Sequence, residues 1–593
     1  MVSLRDDDWM SRRKALHGRY LELGTVGDAS RLSYLHGPET VWTEEEVAGL
    51  WQRAVCNPIS RLPARNCIYI HVPFCKSICN FCNYDRLQPS SPMLLKTWMN
   101  RVMRSIDVLG PVVRPLTFDA LYIGGGTPSV LPARMLRELL DKLDGSFSWH
   151  RKASRVLEFD PAVINRERLE VLAAHRFNRL SFGIETLDPE INQRHNRGRQ
   201  SIETIARCFD DMRAVGISRV TCDFLLGLEG TTPEGMLDEM ETVLHRFRPG
   251  CLDIFMLTPT QAYVDRHFGG SWDTIWAHLK RFETIVPPAL PQLAARTGYV
   301  VRTGQGHHMT LERPDPLRWL NPLPLLRELL GVRRPQHHSY TALVSEARRP
   351  LNVLGLGRSA RSIIFGTAAY SSRDPDDNPA KEGPADYAGN SIDAAGEARS
   401  FLVHVLRDND TIDCREFHDI FGGDMREVIP QALAAWESEG TAHFEEKVLR
   451  FVPQDRRERI RSLMWLVPEE AIEYDLAHYD QIELSATGVA ALVANLPLNT
   501  ALGDGYRYHG QDGTRLLIAT PHGEILRLRV APGLEPSIPL RLVVENPTSA
   551  AEGNSDGRQR ATAVLLAALV EHHRNAMRRS STGMEPLRQS ISS

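Results

Sequence analysis

Short apolar runs alternate with helical stretches between residues 65 and 260. Six of these runs have the length and the β-branched or aromatic content of strands: CIYIHV, ALYIGGG, RVLEFD, RLSFGIE, RVTCDFLLG and CLDIFMLTP. Because crossover helices separate them, the strands are expected to pair in parallel. The pattern therefore predicts an α/β fold built on six parallel strands.

Apolar side chains recur at helical spacing over residues 395–470, which predicts a small helical module. They form three groups: Phe401, Leu402 and Val405; Phe417, Ile420 and Phe421; Val428, Leu433 and Trp436. The segment TAHFEEKVLRFVP follows Gly440 and is typical of the hairpin of a winged-helix-like domain. Without a basic face, such a module is not expected to bind DNA.

The two ends of the chain carry weaker patterns. Residues 1–64 contain one helix-like stretch, WTEEEVAGLWQRAV, and are expected to cover the core. After residue 470, RLLIATPHGEILRLRV predicts a hairpin about PHGE, IPLRLVVENP a further strand, and RATAVLLAALVEHHRNAM a helix before a disordered tail. The adjacent His572 and His573 fall on different helix faces and are poor metal-ligand candidates. An α+β accessory domain is predicted over residues 471–593.

Composition and charge exclude several classes. The 593 residues are 42% hydrophobic and 24% charged, and 70 basic against 74 acidic side chains give a net charge of −4. No global electrostatic attraction to nucleic acid or to an anionic membrane follows from this balance. The first residues lack an apolar signal region, and ATAVLLAALV is far shorter than the roughly 20 residues of a membrane span. A cytoplasmic protein without a membrane span is predicted.

Cys75, Cys79 and Cys82 are spaced C-x3-C-x2-C on a predicted loop after the first strand. A closed structural zinc site takes four ligands, and no second CxxC pair is present. The interpretation as buried apolar cysteines suits Cys208, Cys222 and Cys251 better, since these three fall within apolar helix or strand patterns. Three thiolates fit a 4Fe-4S cluster in which one iron lacks a protein ligand and is open to a further molecule.

Two glycine-rich stretches share features with nucleotide-binding loops. YIGGGTPS lacks the Gly-Lys-Ser/Thr ending that a P-loop needs. Its glycines permit close backbone approach to a small ligand, although a tight strand-to-helix turn is the simpler alternative. GLGRSA at residues 355–360 fits a dinucleotide fingerprint, yet no acidic residue ends a strand about 20 residues later. We do not interpret it as a dinucleotide site.

The cysteine loop resembles that of the radical S-adenosylmethionine (SAM) superfamily, in which SAM chelates the fourth iron. Five motifs resemble, in order, those of the branch containing oxygen-independent coproporphyrinogen III oxidase: IYIHVPFC, YIGGGTPS, LEFDP, NRLSFGIETLDPEINQRHNRG and TCDFLLGLEGTTPE. The resemblance runs from about residue 30 to about residue 470. It implies a partial (β/α)6 barrel, with LNVLGLGRSARSIIFG closing its far side and the winged-helix-like module as a cap.

Four regions are predicted on this basis. They are an N-terminal covering segment (1–64), a radical SAM core barrel with its extension (65–394), the cap (395–470) and the accessory domain (471–593). Barrel enzymes place their chemistry at the carboxyl ends of the strands, and each motif falls at such an end.

The resemblance also implies roles for single residues. The cluster ligands are Cys75, Cys79 and Cys82, and the SAM contacts are Gly124, Gly125, Gly126, Thr127, Glu158, Glu185, Arg197 and Asp223. Glu185 stands where the family often has glutamine, and exchanging an amide for a carboxylate removes a donor. Tyr69 and His71 match the family's YxHxPFC and are candidate catalytic residues that pack around the cluster and tune it.

The function implied is reductive cleavage of SAM to a 5'-deoxyadenosyl radical, followed by oxidative decarboxylation of a coproporphyrinogen-type tetrapyrrole. An electron donor such as flavodoxin or ferredoxin is an expected partner. Tyr84 stands where many of those oxidases have a further cysteine, and QHHSYTA at residues 336–342 resembles their corresponding element only loosely. Two alternatives stay open. One is a radical SAM methyltransferase or cyclopropanase that uses two SAM molecules on an aromatic or natural-product substrate, and the other is a haem chaperone.

Overall fold

The computed structural model describes residues 7–22, 39–56, 60, 62–198, 200–303, 308–314, 349–453 and 455–480, together with four strands between residues 507 and 544. The chain forms two compact units, Met1–Ile472 and Glu473–Ser593. In the described part of the chain, no helix combines the length and the apolar character needed to cross a bilayer. The cytoplasmic location stays a prediction.

A large sheet forms the centre of the first unit. Its strands are β1 (Thr40–Trp42), β2 (Arg65–Val72), β3 (Thr117–Gly125), β4 (Ser148–Glu158), β5 (Arg179–Glu185), β6 (Val220–Leu226), β7 (Cys251–Met256), β8 (Val300–Thr303), β9 (His308–Glu312), β10 (Leu351–Leu356), β11 (Arg361–Ile364), β12 (Ala368–Arg373) and β13 (Asp386–Ser391). The six predicted strands are β2 to β7. They lie side by side in chain order and pair in parallel, which confirms the prediction.

Helices lie between these strands along the chain. The helices of this part are α1 (Asp7–Glu22), α2 (Glu44–Cys56), α3 (Pro92–Val113), α4 (Ala133–Ser146), α5 (Arg166–Ala174), α6 (Pro189–Arg194), α7 (Ile202–Ala214), α8 (Pro233–Arg246), α9 (Gln261–Phe268) and α10 (Trp272–Thr297). Several begin at a side-chain cap: Asn165, Ser201 and Thr232 each accept a hydrogen bond from the backbone N–H three residues later. Caps of this kind satisfy N–H groups that the helix itself leaves unpaired.

The two faces of the parallel strands differ in chemistry. Leu252, Ile254 and Met256 of β7 belong to the large apolar core, whereas Asp253 between them points to the opposite face. The same alternation along β2 to β6 places polar side chains on that opposite face. We call this inner face the lumen of the partial barrel. This face carries buried polar side chains, including His71, Ser181 and Asp253, beside an apolar cluster with Cys67, Ala120 and Val156, so the lumen is where a polar ligand can be held.

Further strands extend the sheet at both edges. At one edge β10 pairs in parallel with β2, followed by β11, β12, β13 and β1, and at the other β9 and β8 follow β7. The order is linear, so the barrel is partial. The stretch LNVLGLGRSARSIIFG forms β10, a turn and β11, and lies at the edge of β2.

The N-terminal residues contribute directly to this sheet. β1 pairs with β13, and α2 begins with a capping box in which the Thr43 N–H donates to Glu46 Oε2 and the Glu46 N–H donates to Thr43 Oγ1. Trp51 on α2 is fully buried and donates to the hydroxyl of Tyr370 at 2.7 Å. The predicted helix WTEEEVAGLWQRAV is therefore confirmed as α2.

Residues 394–472 form the cap module. Its elements are α11 (Ala394–Asp408), β14 (Thr411–Asp413), α12 (Cys414–Phe421), α13 (Met425–Val428), α14 (Pro430–Glu439), β15 (Ala442–Glu445), β16 (Val448–Phe451), α15 (Arg456–Leu463) and the start of α16 (Glu469–Asp480). β15 and β16 form the predicted hairpin, and β14 pairs with β16 to complete a three-stranded sheet. The helical stripes are largely buried here, as expected of a winged-helix-like module.

The described part of the second unit is an antiparallel sheet of β17 (Arg507–Asp512), β18 (Arg515–Ala519), β19 (Ile525–Glu535) and β20 (Ile538–Val544). β18 and β19 are the two predicted arms about PHGE, and β20 is the predicted third strand. The predicted helix at residues 560–577 with His572 and His573, the tail and QHHSYTA lie outside the described residues. The fold is thus α/β, a partial (β/α)6 barrel with a winged-helix-like cap and an accessory unit.

Candidate functional site

The three cysteines lie on the segment of residues 73–91 between β2 and α3, which we call the cysteine loop. Its ends are tied together: the Cys75 N–H donates to Leu87 O at 2.9 Å, and the Leu87 N–H donates to Pro73 O at 2.6 Å. Cys79 is buried, Cys75 and Cys82 are partly exposed, and none forms a disulfide. The loop therefore presents three free thiols near the carboxyl end of the first barrel strand.

The spacing of the three sulfur atoms distinguishes between kinds of metal site. Zn–S bonds of about 2.3 Å place the sulfur ligands of a tetrahedral zinc ion about 3.8 Å apart. In the described part of the chain, Cys75, Cys79 and Cys82 do not form a group whose ligand atoms all lie within 4.8 Å of one another, so at least one pair of their sulfur atoms is farther apart than this. A separation longer than that between the ligands of one zinc ion fits a multi-iron cluster, in which each sulfur binds a different iron.

Electrostatics around the thiols also fit a bound cluster. Burial raises the pKa of Cys75, Cys79 and Cys82, so metal binding has to deprotonate them. The guanidinium of Arg197 acts in the opposite direction on Cys79, as that of Arg86 does on Cys82. Thr127 Oγ1 donates to Cys75 Sγ at 3.6 Å. Cations and donors near the sulfur atoms stabilise their thiolate form.

The glycine-rich turn after β3 packs directly against the cysteine loop. The Gly126 N–H donates to Val72 O and the Thr127 N–H to Phe74 O, both at 2.8 Å. A Cβ on Gly126 would lie 2.8 Å from Phe74 O, and one on Gly125, whose φ is +109°, would lie 2.7 Å from the His71 ring. Glycine is therefore required at both positions by close approach alone.

Glu158 at the end of β4 is held from two sides. Its Oε1 accepts a hydrogen bond from the Tyr122 hydroxyl at 2.5 Å, and its Oε2 accepts from the Gly125 N–H at 3.1 Å. A Cβ on Gly124 would lie 2.7 Å from Glu158 Oε2. Burial raises the pKa of Glu158, while the two hydrogen bonds act against that rise. The carboxylate is fixed beside the glycine-rich turn.

Glu185 and Arg197 form an ion pair at the end of β5. Arg197 Nη2 lies 3.5 Å from Glu185 Oε1 and donates to Gly183 O at 2.7 Å. Glu185 adopts a φ of +62°, and a Cβ on Gly183 would lie 2.0 Å from its Oε1. Burial lowers the pKa of Arg197, but Glu185 and Cys79 outweigh it and the net shift is upward, so the guanidinium stays charged.

Arg197 also has an unused donor. Its Nε atom is shielded from solvent and has no hydrogen-bond partner, whereas its side chain does contact the thiol of Cys79. A buried N–H without an acceptor is costly, and a bound anionic group would relieve that cost. Arg197 is thus suited to contact the carboxylate of a ligand bound next to the cysteines.

Asp223 on β6 faces a second carboxylate on β7. Ser181 Oγ donates to Asp223 Oδ2 at 3.1 Å, and the register pairs Asp223 with Asp253. Burial and the charge of Asp253 raise the pKa of Asp223 well above its usual value. Asp253 itself lies 3.1 Å from His308 Nε2 and accepts from Thr310 Oγ1 at 3.0 Å. The lumen therefore continues from the predicted SAM residues into a polar cluster that the sequence analysis missed.

Tyr69 and His71 lie on β2, next to the cysteine loop. His71 Nε2 lies 3.0 Å from Asp85 O and Nδ1 lies 2.9 Å from the Tyr69 hydroxyl. Since a carbonyl oxygen only accepts, Nε2 carries the proton and Nδ1 accepts from Tyr69. Burial lowers the pKa of His71, so the ring is neutral. The pair holds the end of the cysteine loop against the sheet.

A buried ion network secures the same end and was not found from the sequence. Arg358 of GLGRSA donates to Asp85 Oδ2 at 2.6 Å and to Asp374 Oδ2 at 2.8 Å, and Arg101 also pairs with Asp374. The sequence signals of this network were Asp85, three residues after Cys82, and Arg358 inside a glycine-rich turn. Neither shows its partner without the tertiary structure. Tyr84, where the resembled family often has a cysteine, is 60% exposed.

Comparison with known proteins adds a family assignment. A family model of the radical SAM superfamily matches residues 69–243, a range that contains all three cysteines and Asp223. The oxygen-independent coproporphyrinogen III oxidases of Paracoccus denitrificans and Escherichia coli are 31% and 27% identical over 189 and 205 residues. These segments cover 31% and 34% of this chain and 42% and 44% of the relatives. The heme chaperone HemW of Bacillus subtilis is 26% identical over 177 residues, 30% of this chain and 46% of the relative. The matched segments therefore span less than half of each relative.

The structural similarity to a known protein covers more of this chain than the sequence similarity does. The solved structure of coproporphyrinogen III oxidase from Escherichia coli, a radical SAM enzyme, superposes with a TM-score of 0.53 over 72% of this chain and 94% of that chain, at 20% identity. At this identity the superposition establishes a common fold. The matched family model and the cysteine loop together identify residues 69–243 as a radical SAM domain, and the relatives of that segment include oxygen-independent coproporphyrinogen III oxidases.

Proposed function

We propose that this chain carries a 4Fe-4S cluster on Cys75, Cys79 and Cys82 and uses SAM to oxidise a coproporphyrinogen-type tetrapyrrole. The observation that carries the proposal is the geometry of the lumen: a loop with three free thiols adjoins a glycine turn and buried carboxylates near the carboxyl ends of parallel strands. The radical SAM family implies the cluster and SAM. The tetrapyrrole substrate is inferred from the printed activity of the matched oxidases.

The residues around the lumen fit SAM by their chemistry. Arg197 offers its unused Nε–H to a carboxylate, and the carboxylates of Glu158 and Asp223 can accept from amino or ribose hydroxyl groups. The turn Gly124–Gly126 leaves no side chain between the ligand and the backbone. When bound, the cluster and SAM supply a one-electron cleavage that yields methionine and a 5'-deoxyadenosyl radical.

The protein's own residues hold the reactants and keep competing donors away. Tyr69, His71 and the ion pair of Asp85 with Arg358 fix the cysteine loop, and Glu185 keeps Arg197 in place beside it. Holding reacting atoms in contact is the main contribution that a protein makes to such cofactor chemistry. For each vinyl group formed, a propionate side chain would lose a β-hydrogen atom to the 5'-deoxyadenosyl radical, release carbon dioxide and pass one electron to a one-electron acceptor, which the reaction also requires.

The proposal is tested by product analysis of the anaerobically reconstituted protein with a strong reductant, SAM and coproporphyrinogen III. We expect 5'-deoxyadenosine and a substrate that loses the mass of carbon dioxide and two hydrogen atoms for each vinyl group formed. Formation of S-adenosylhomocysteine with an unchanged porphyrinogen contradicts the oxidase and supports the alternative of a methyltransferase or cyclopropanase with two SAM molecules. In this assay a chemical reductant replaces the physiological electron donor. That flavodoxin or ferredoxin is this donor is a separate proposal.

A second candidate function is that of a haem chaperone. The match to HemW of Bacillus subtilis over 30% of this chain is the observation that favours it. A chaperone binds haem stoichiometrically and forms no vinyl groups. Titration of the reconstituted protein with haem, followed by the characteristic absorption band, distinguishes the two, because an oxidase is expected to turn over porphyrinogen without retaining haem.

A further inference from the structure

A second group of potential ligands lies beneath the cysteine loop. His195 follows α6, Glu229 lies on the connection from β6 to α8, and His267 is on α9. One ligand atom from each residue lies within 4.8 Å of the other two. The cluster ligands are not part of this group, and no step of the proposed function uses it.

His195 is prepared to act as a ligand. It is 0% exposed, and its Nε2 lies 3.0 Å from the backbone oxygen of Glu229. Since that oxygen only accepts, Nε2 carries the proton and Nδ1 carries a lone pair. Nδ1 is buried and has no hydrogen-bond partner. Metal-bound histidines commonly donate their other ring N–H to a backbone carbonyl in this way, which fixes the tautomer.

His267 supplies the second imidazole. Its side chain is 6% exposed, its ring centroid lies 4.5 Å from that of His195, and its Nε2 is buried without a hydrogen-bond partner. Its Nδ1 lies 4.0 Å from Glu229 Oε2. Two neighbouring imidazoles, each with a buried nitrogen that lacks a partner, are costly unless something binds them.

Glu229 supplies the carboxylate and is itself held in place. Its Oε2 accepts from Arg194 Nη1 at 2.9 Å, and its backbone N–H donates to the Tyr263 hydroxyl at 2.9 Å. Arg194 competes for the negative charge at Oε2, the oxygen that also lies nearest His267, but a carboxylate has lone pairs on both oxygens for a second partner. Carboxylates that bind metals are usually hydrogen-bonded by a neighbour as well.

We propose that His195, Glu229 and His267 bind a divalent transition-metal ion, of which zinc is the best match. Two imidazoles and one carboxylate are a known zinc ligand set, with a water in the fourth position. Ligand atoms of such an ion lie about 3.3 to 3.5 Å apart, so closure on the order of 1 Å completes the site. The competing interpretation is plain aromatic packing beside an Arg–Glu ion pair.

The ion would have a structural effect on the cysteine loop. The backbone oxygen of His195 accepts from the Asn80 N–H at 3.0 Å, and the His195 ring lies edge-on to Phe81 at 6.2 Å. Asn80 and Phe81 stand between Cys79 and Cys82. An ion that ties His195 to Glu229 and α9 therefore anchors the half of the loop that carries these two cysteines.

The test uses the full-length chain with its iron–sulfur cluster in place. The protein is freed of loosely bound metal with a chelator, given zinc sulfate and desalted, and zinc and iron are measured by mass spectrometry. We expect about one zinc per chain with iron content unchanged. His267→Ala should lower bound zinc at least about tenfold, and so should Glu229→Gln, which has nearly the same shape and guards against misfolding of the first variant.

Controls separate this site from other ligands. His278→Ala removes another histidine whose Nε2 lacks a partner, on α10, and should leave zinc bound. The triple variant Cys75→Ala, Cys79→Ala, Cys82→Ala should also keep its zinc. The proposal is overturned if the wild-type chain keeps less than about one tenth of a zinc, if His267→Ala and Glu229→Gln bind as much as wild type, or if the triple cysteine variant loses it.

Discussion

Asp223 is one of the two lumen carboxylates, with Glu158, on which the proposed SAM site depends. The Asp223→Ala variant should weaken SAM binding tenfold or more, because losing one charge-assisted hydrogen bond costs about 1.5 to 3 kcal/mol. The cluster should stay, since Asp223 lies on β6 and contacts Ser181, not the cysteine loop. Equilibrium dialysis under nitrogen measures the SAM affinity, and iron analysis of the same sample measures the cluster content.

The matched control is Glu397→Gln, which changes a buried carboxylate outside the lumen and should leave SAM affinity as in wild type. Glu158→Ala is expected to behave like Asp223→Ala. Unchanged affinity in both Asp223→Ala and Glu158→Ala would remove these residues from the site.

Side-chain direction explains which site residues could be predicted. Glu158 and Asp223 were predicted because they match SAM-contacting positions of the resembled family; the structure places Glu158 at the end of β4 and Asp223 within β6. Tyr122, Ser181 and the Asp253–His308 pair lie inside strands that look simply apolar or mixed. Their meeting in the lumen depends on register between strands, which local patterns do not contain.

At the scale of elements, the six parallel strands followed from the alternation of short apolar runs with helices. The strands that extend the sheet did not. β1, β8, β9 and β10 to β13 are short, and several are joined over long distances along the chain, as when β1 pairs with β13. Such pairings are set by tertiary contacts such as Trp51 with Tyr370, not by local propensity.

Helix α11 carries a pH-sensitive contact to the large sheet. Glu397 Oε2 accepts from the Gly366 N–H at 2.9 Å, and burial raises the pKa of Glu397 to about 7. Between pH 4.5 and 7 the folded state therefore binds more protons than the unfolded state, and the free energy of unfolding falls as the pH rises through that window. This shift in the pKa of Glu397 corresponds to a loss of about 3 kcal/mol in the free energy of unfolding over that pH window.

The Glu397→Gln variant should abolish this dependence, since the amide oxygen still accepts from Gly366 and carries no charge. We expect the melting temperature of the variant to exceed that of wild type at about pH 8 and to approach it at about pH 5. Exposed Glu427 in the same module serves as control, and Glu427→Gln should track wild type at both values. A difference between Glu397→Gln and wild type that shrinks toward the higher pH would show the sign to be wrong.

At the scale of the whole molecule, we propose that the N-terminal segment (1–64), core (65–394) and cap (395–470) form one catalytic body and that residues 471–593 form an accessory domain. The separation of the chain into Met1–Ile472 and Glu473–Ser593 supports this proposal. A protein ending at Asp480 should assemble the cluster and cleave SAM as the full-length chain does. Iron content and 5'-deoxyadenosine yield measure this.

A shorter protein provides the contrast for that truncation. Ending the chain at Pro453 removes α15, whose Arg459 donates to Leu406 O at 2.6 Å and whose Ser462 oxygen accepts from the buried Trp436. This variant should fail to fold. If the protein ending at Asp480 fails as well, the C-terminal strands belong to the main structure and the proposed boundary is wrong.

The most direct test of the central claim is the iron and sulfide content of protein reconstituted without oxygen. The account predicts about four of each per chain in wild type. It predicts loss in Cys75→Ala, Cys79→Ala and Cys82→Ala, and retention in Cys208→Ala, whose thiol is buried and donates to Pro161 O. Iron and sulfide retained with all three loop cysteines replaced, or lost on replacing Cys208, would contradict the account.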